Sequence, residues 1–421
     1  MPHDPEPPAA PAQGADATPT GAAPVRRILL VDCDAYFVQV AKLEDPEGAG
    51  RTEFLLVGGS ADHRGVITSA SYECRPFGVR SGMPTARALR LCPRAVVVPV
   101  PREACSRKNR EIRAVLERFA PVVVTASIDE FYLDLTGTEQ LYGGASLDAV
   151  ARRIREAVLA ETSISVSVGG GTSKLIAKIA SRRAKPGGVH VVPAGGEAEF
   201  MLGHELGAIP GIGPRAVQRL ADFGLRTVAD VVALDRATLS GLLGEGMGAW
   251  LYDCARGIDT TPVVERTEAK SVSREETFAH DINDDAALAR ELLHLVVRVA
   301  GDLRREGMRA RTITVKLRDG DFTTRQASRT LPEAVESDRA IHEVARELLG
   351  KLRAARRTGA RLLGISLSHL CSDAGPVQLS IFEEREEALE TERDRKLAHA
   401  VDALRARFGR KIVLPGKLIG E

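Results

Sequence analysis

The chain has 421 residues, 44% of them hydrophobic, with 58 Lys and Arg against 57 Asp and Glu for a formal charge of +1. That length exceeds one ordinary core and predicts about three domains of roughly 150 residues each, while no apolar run approaches the roughly 20 residues that cross a bilayer, so no membrane partner is expected. Six cysteines, Cys33, Cys74, Cys92, Cys105, Cys254 and Cys371, form no C-x-x-C pair, which argues against structural zinc and predicts a reducing, cytoplasmic setting. Residues 1–25, rich in Pro and Ala without a basic start or an apolar core, predict a disordered leader rather than a signal peptide.

"RRILLVDCDAYF" begins with a buried strand, Ile28 to Val31, that ends at Asp32 and passes into a helix from Tyr36. A second helix starts near Met83-Pro84 and a third spans about Ser106 to Phe119. "VVVTASIDEFYLDL" (122–135) reads as an apolar strand interrupted by adjacent acids. "SLDAVARRIREAVLAET" has Ser146 as N-cap and a stripe at Leu147, Val150, Ile154 and Val158, the pattern of an amphipathic helix. A strand, "ISVSVGGG", and a basic helix ended by Pro186 and two glycines follow. The alternation predicts an α/β or α+β catalytic body over the first 190 residues. "IPGIGPRAVQRLADFG" then predicts a helix-hairpin-helix turn at 211–213, whose backbone N–H groups suit a nucleic-acid phosphate, although a glycine turn between packed helices has the same signature. "RTITVKLRDGDFTTRQASRTL" alternates around a hairpin at Asp319-Gly320, and "RLLGISLSHL" is a further strand of a second small domain.

Two strands thus end in acids, Asp32 in one and Asp129-Glu130 in the other. Neighbouring strand residues face opposite ways, so Asp129 and Glu130 serve one site only if the backbone bends between them; otherwise they are two solvated acids at a turn. Three converging carboxylates repel unless a cation draws them together, and an oxygen-only set, completed by the Cys33 carbonyl, suits two magnesium ions, with manganese as a substitute. Two such ions serve nucleotidyl transfer and nuclease chemistry equally. Tyr72, Arg75 and Lys185 favour the former, because together they can hold a triphosphate, although each alone reads as a surface cation or a core tyrosine.

"VDCDAYF", "SASYECRPFGVRSGMPTARALRLCP", "SIDEFYLDL", "SKLIAKIASRRAKPGG", "IPGIGPRAVQRL" and "RTITVKLRDGDFTTRQASRTL" stand in the order of the Y-family translesion DNA polymerases. Over roughly residues 26–382 the chain resembles that family, most of all its bacterial DNA polymerase IV (DinB-type) branch. The resemblance implies an α+β multidomain, right-handed polymerase: palm at 26–34 and 101–190, small fingers at 35–100, helix-hairpin-helix thumb at 191–260, linker at 261–267, α/β little finger at 268–373 and a tail at 374–421. Residue by residue it implies Asp32, Asp129 and Glu130 as catalytic metal ligands, with the Cys33 carbonyl beside them and Asp34 excluded. It places Tyr36, Ser69, Tyr72, Arg75 and Lys185 against the incoming nucleotide. Phe37 matches the steric gate, a ring that collides with a ribose 2′-hydroxyl. DNA contacts fall to Gly211 and Gly213 in the thumb and to Lys316, Arg325 and Arg329 in the little finger. Two departures, Ala41-Lys42 and Gly170, question local packing rather than the carboxylates.

"GPVQLSIFEE" resembles a sliding-clamp peptide, with Gln378, Leu379, Ile381 and Phe382 as anchors, although Leu379 and Ile381 would also suit a last strand. About forty residues follow it, including a helix over "LAHAVDALRARFG" whose task is not legible. "KLRAARRTGAR" (351–361) is basic and "EEREEALETERD" (383–394) mostly acidic, so near-neutrality does not exclude an anionic partner on one face. The expectation is a monomeric, distributive, low-fidelity polymerase acting on primer-template DNA and dNTP, as against a two-metal nuclease or an inert clamp- and DNA-binding scaffold.

Overall fold

The computed structural model describes residues 24–265, 269–372, 389–409, 412–413 and 415–416. The expected clamp peptide at 378–382 and most of the expected leader lie outside them. The chain divides into two compact units, one of residues up to 40 with 102–265 and one of 41–101 with 266–421. Among the described residues no helix is long and apolar enough to cross a membrane.

In chain order the strands are β1 (Ile28–Cys33), β2 (Leu55–Gly58), β3 (Ile67–Ala70), β4 (Val96–Val98), β5 (Val122–Thr125), β6 (Glu130–Asp134), β7 (Val166–Gly171), β8 (Val189–Val191), β9 (Ser271–Ile282), β10 (Met308–Asp319), β11 (Thr324–Val335) and β12 (Ala360–Ser372). The helices are α1 (Tyr36–Glu44), α2 (Thr85–Leu91), α3 (Arg102–Leu116), α4 (Leu147–Thr162), α5 (Lys174–Ala184), α6 (Glu197–Leu202), α7 (Pro214–Asp222), α8 (Val228–Val232), α9 (Arg236–Leu243), α10 (Glu245–Ala255), α11 (Asp285–Arg305), α12 (Asp338–Ala355) and α13 (Glu392–Phe408).

The first unit is built on a sheet of order β5-β6-β1-β7-β8. Its central strand β1 is buried on both faces. Leu29, Val31 and Cys33 pack with Ile112 and Leu116 of α3 and Ile154 and Val158 of α4, whereas Ile28 and Leu30 pack with Ala177 of α5. Period-two alternation therefore turns Asp32 toward the α5 side. As the sequence predicts, the Ser146 hydroxyl caps α4 by accepting from the Ala149 N–H. The third helix starts earlier than the sequence suggests, at Arg102 rather than Ser106.

Helix α5 lies close on the sheet because β7 ends in three glycines. A Cβ on Gly169 would stand 2.1 Å from the Ser181 nitrogen and 2.2 Å from the Ala177 oxygen, both backbone atoms of α5. Gly170 faces the other way, where Leu29 and Val191 fill the space a side chain would take. The second half of this unit joins α6 to α10 around a core that includes Leu220, Val231, Leu239 and Leu251.

The second unit holds a three-stranded sheet, β3-β2-β4, and a four-stranded antiparallel sheet, β11-β10-β12-β9, one face of which is covered by α11 and α12. Its other face is lined with hydroxyls: Ser271 and Ser273, Ser366 and Ser368, Thr312 and Thr314, Ser328 and Thr330 share register positions there. The tail helix α13 is tied to this domain by ions. Arg304, on α11, is buried and donates to both carboxylate oxygens of Asp402 on α13, at 2.7 and 3.1 Å, and to Asp338 at the start of α12 at 2.9 Å. The buried Glu390 carboxylate accepts from the Glu336 and Ser337 N–H groups ahead of α12.

Candidate active site

The stretch 122–135 is two strands, not one. β5 ends at Thr125, residues 126–129 turn, and β6 starts at Glu130. The backbone thus bends at the acid pair, with Asp129 closing the turn and Glu130 opening the strand. Glu130 lies directly opposite Asp32 in the antiparallel register, and directly opposed residues project from the same face. Phe131 and Leu133 point the other way into the α3 and α4 core.

Two lysines complete this cluster. The Lys178 ammonium, from α5, donates to Asp32 Oδ2 at 3.2 Å and to Glu130 Oε1 at 2.6 Å. Lys185, just past the end of the same helix, donates to Asp32 Oδ1 and to the Cys33 carbonyl at 3.3 Å. Each positive centre is therefore held by hard oxygens of the set that the sequence assigns to divalent ions. The Cys33 side chain is no part of this set. Burial, with the Asp129 and Asp32 carboxylates, pushes its thiol well above the usual range, so it stays protonated in the core and offers only its backbone oxygen.

The Asp129 carboxylate accepts from the Ser127 hydroxyl at 2.6 Å, its N–H donates to the same hydroxyl at 3.3 Å, and its carbonyl accepts from the Cys33 N–H at 2.9 Å, so the turn ties Asp129 both to Ser127 and to the end of β1. Among the described residues no three His, Cys, Asp or Glu side chains converge into a metal-ligating group. The donors nonetheless fit a hard cation, because the oxygens of Asp32, Cys33 and Glu130 already gather on ammonium groups and are all of the type magnesium or manganese prefers.

Tyr36 is nearly inaccessible, and its hydroxyl donates to the Cys105 carbonyl at 2.6 Å. Its side chain is thus a bolt between α1 and α3, and any nucleotide contact at this position falls to the backbone at the helix start. The next residue, Phe37, is partly exposed, with its ring edge-on to Tyr36 at 5.6 Å. Asp34 is buried and held by Ser165, Ser167 and the Gly187 N–H. In the second unit Ser69 lies in β3, and the Arg75 guanidinium stacks 3.9 Å from the centre of the Tyr72 ring in the turn that follows.

Gly211 adopts φ +99°, with Trp250 3.4 Å from where its Cβ would be, and Gly213 caps α7 with Pro214 in the first turn. The hairpin that the sequence predicts is present, and the open N–H groups of α7 follow it. Of the three little-finger cations only Lys316 lies on the hydroxyl-lined face, where it pairs with Glu275 at 2.8 Å across Gly364. Arg325 and Arg329 lie on the opposite side of the sheet from Lys316. They stand opposite the buried Leu317 and Ile313, so alternation sends them to the helix-covered side. There Arg325 pairs with the buried Asp319 at 2.9 Å and Arg329 with Glu347 of α12 at 3.0 Å.

Sequence reasoning missed Lys178, which it read only as part of a basic helix, and Ser127. The one available signal was proximity in the sequence: Lys178 lies on the basic helix and Lys185 directly follows its last residue, Ala184.

Comparison with known proteins agrees with this geometry. The impB/mucB/samB family model matches residues 31–182, its C-terminal domain model matches 269–381, and the DNA polymerase-iota thumb-domain model matches 207–259. A DNA polymerase IV of Dehalococcoides mccartyi (strain CBDB1) is 35% identical over 393 residues, covering 93% of this chain and 97% of the relative. One of Caulobacter vibrioides is 36% identical, covering 93% and 94%. Among solved structures, a Y-family DNA polymerase chimera of Dbh and Dpo4 superposes with a TM-score of 0.75 at 25% identity, over 82% of this chain and all of the other. DinB from Sulfolobus solfataricus gives 0.54 at 25%, over 81% and 98%. Fold and site together define a DNA-directed DNA polymerase with palm, fingers, helix-hairpin-helix thumb and little finger. The chain belongs to the Y family of translesion polymerases, in its DNA polymerase IV branch, and that family implies dependence on a divalent metal.

Proposed function

We propose that the protein is a distributive, low-fidelity polymerase that adds dNTP to a primer 3′ end by two-metal nucleotidyl transfer during damage tolerance. The observation that carries this reading is the opposition of Asp32 and Glu130 on neighbouring strands, with the Cys33 carbonyl turned to the same cationic cluster. Asp32, the Cys33 carbonyl, Glu130 and, after release from Ser127, Asp129 would hold two magnesium ions. Such ions activate an attacking hydroxyl and neutralise a leaving phosphate.

The chain's own residues do the rest. Lys178 offsets the charge of Asp32 and Glu130, and Lys185, with Ser69, Tyr72 and Arg75, binds and orients the triphosphate. Phe37 excludes a ribose by shape. Gly211 and Gly213 present N–H groups to a DNA phosphate, and Lys316 meets the strand on the hydroxyl-lined sheet. Gln378, Leu379, Ile381 and Phe382 dock the protein, as a monomer, on a sliding clamp that supplies processivity.

Primer extension with magnesium and all four deoxynucleotides tests the reading. The protein is expected to add nucleotides in short runs that lengthen with a loaded clamp, and deleting 378–382 should remove only the lengthening. No extension at all refutes the polymerase reading; lengthening that survives the deletion refutes the clamp assignment.

A further inference from the structure

Asp34 is the strongest unexplained feature of the first unit. It is a carboxylate only 3% exposed. Burying a carboxylate is costly unless hydrogen bonds satisfy it. Here Oδ1 accepts from the Ser167 hydroxyl at 2.8 Å, while Oδ2 accepts from the Ser165 hydroxyl and the Gly187 N–H, both at 2.9 Å. Such bonds to an ionised acceptor are the strong kind.

Those three donors come from two places. Ser165 directly precedes β7 and Ser167 lies in it, but Gly187 belongs to the loop that carries Lys185. That loop is gripped from both sides: the Gly187 N–H also donates to the Ser167 hydroxyl at 3.0 Å, and the Gly187 carbonyl accepts from Arg155 on α4 at 2.7 Å. Gly187 itself has φ +65°, and a Cβ on Gly188 would stand 2.4 Å from the Ala184 oxygen, so the loop has one tightly constrained course. Lys185 lies two residues before the atom that Asp34 holds.

We infer that Asp34 is a positioning residue for nucleotide binding: its buried carboxylate fixes the 185–188 loop and so sets where the Lys185 ammonium stands. This rests on the proposed reading of Lys185 as a triphosphate ligand. Asp34 touches neither nucleotide nor metal. It acts through Gly187, and a one-ångström displacement of the loop is enough to misplace the ammonium.

Steady-state extension by the full chain separates the possibilities, with Asp34→Asn, Lys185→Ala and the double variant compared. Asp34→Asn keeps the shape but loses the charged acceptor. It should raise KM for the incoming dNTP roughly tenfold and leave kcat within about threefold, the pattern of lost uniform binding. In the Lys185→Ala background the same change should have almost no further effect on KM, because coupled residues are non-additive. A rise in KM for Lys185→Ala with none for Asp34→Asn, or full additivity, overturns the inference. An unchanged KM for Lys185→Ala refutes the reading of Lys185 on which it rests. Should Asp34→Asn fail to fold, Ser165→Ala removes one hydrogen bond alone and should give a smaller rise in KM at an unchanged melting temperature; a flat KM there overturns the inference.

Discussion

Asp32 and Glu130 meet because of strand parity: β1 turns alternate residues to α5, and the antiparallel register sets Glu130 opposite Asp32. At the same scale Phe37 owes its exposure to its neighbour, since Tyr36 takes the buried position and its hydroxyl bonds the Cys105 carbonyl. Replacing Phe37 by Ala should raise ribonucleotide incorporation relative to deoxynucleotide by about 10- to 100-fold, as expected when a steric contact worth 1–3 kcal/mol is lost. Competing rNTP and dNTP on one primer measures it, and unchanged sugar selectivity removes Phe37 from that role. The acids were legible in the sequence because charge at the end of an apolar strand needs a reason. Lys178 was not, since one lysine in a basic helix has no distinguishing mark until the glycines of β7 let α5 approach.

Elements explain what single residues cannot. In the four-stranded sheet, alternation was readable, but which parity faces the helices was not, so the sequence did not separate Lys316 from Arg325 and Arg329, which lie on opposite faces. Lys316→Ala should lower the slope of log affinity for DNA against log salt by about one, whereas Arg325→Ala should leave that slope unchanged. Arg325→Ala should instead cost about 1–3 kcal/mol of stability by weakening the hydrogen bonding of buried Asp319. Salt titration of DNA binding and urea unfolding read the two effects, and a changed slope for Arg325→Ala would contradict its placement. The tail helix was visible as an amphipathic segment, but its docking was not, because that depends on Arg304, distant in sequence from Asp402. Arg304→Met leaves Asp338 and Asp402 without this partner and should destabilise the domain by about 3–5 kcal/mol. A loss below about 1 kcal/mol by urea unfolding would show that the buried cluster contributes little.

For the whole molecule, the order of motifs carried the resemblance to the family before any geometry was known. The turn that sets Asp129 apart from Glu130 was legible only as a condition, that the backbone must bend. What the turn then does with Asp129 depends on Ser127, whose hydroxyl competes for the carboxylate at 2.6 Å. The proposed role of the strand-end acids, as the catalytic centre of a DNA polymerase, is open to direct measurement. Primer extension in magnesium, native protein against Asp129→Ala plus Glu130→Ala, tests it most directly: the native chain should extend, and the double variant should lose at least about 1,000-fold in kcat, roughly 4 kcal/mol of transition-state stabilisation. Extension by the double variant at the native rate would remove both acids from that role.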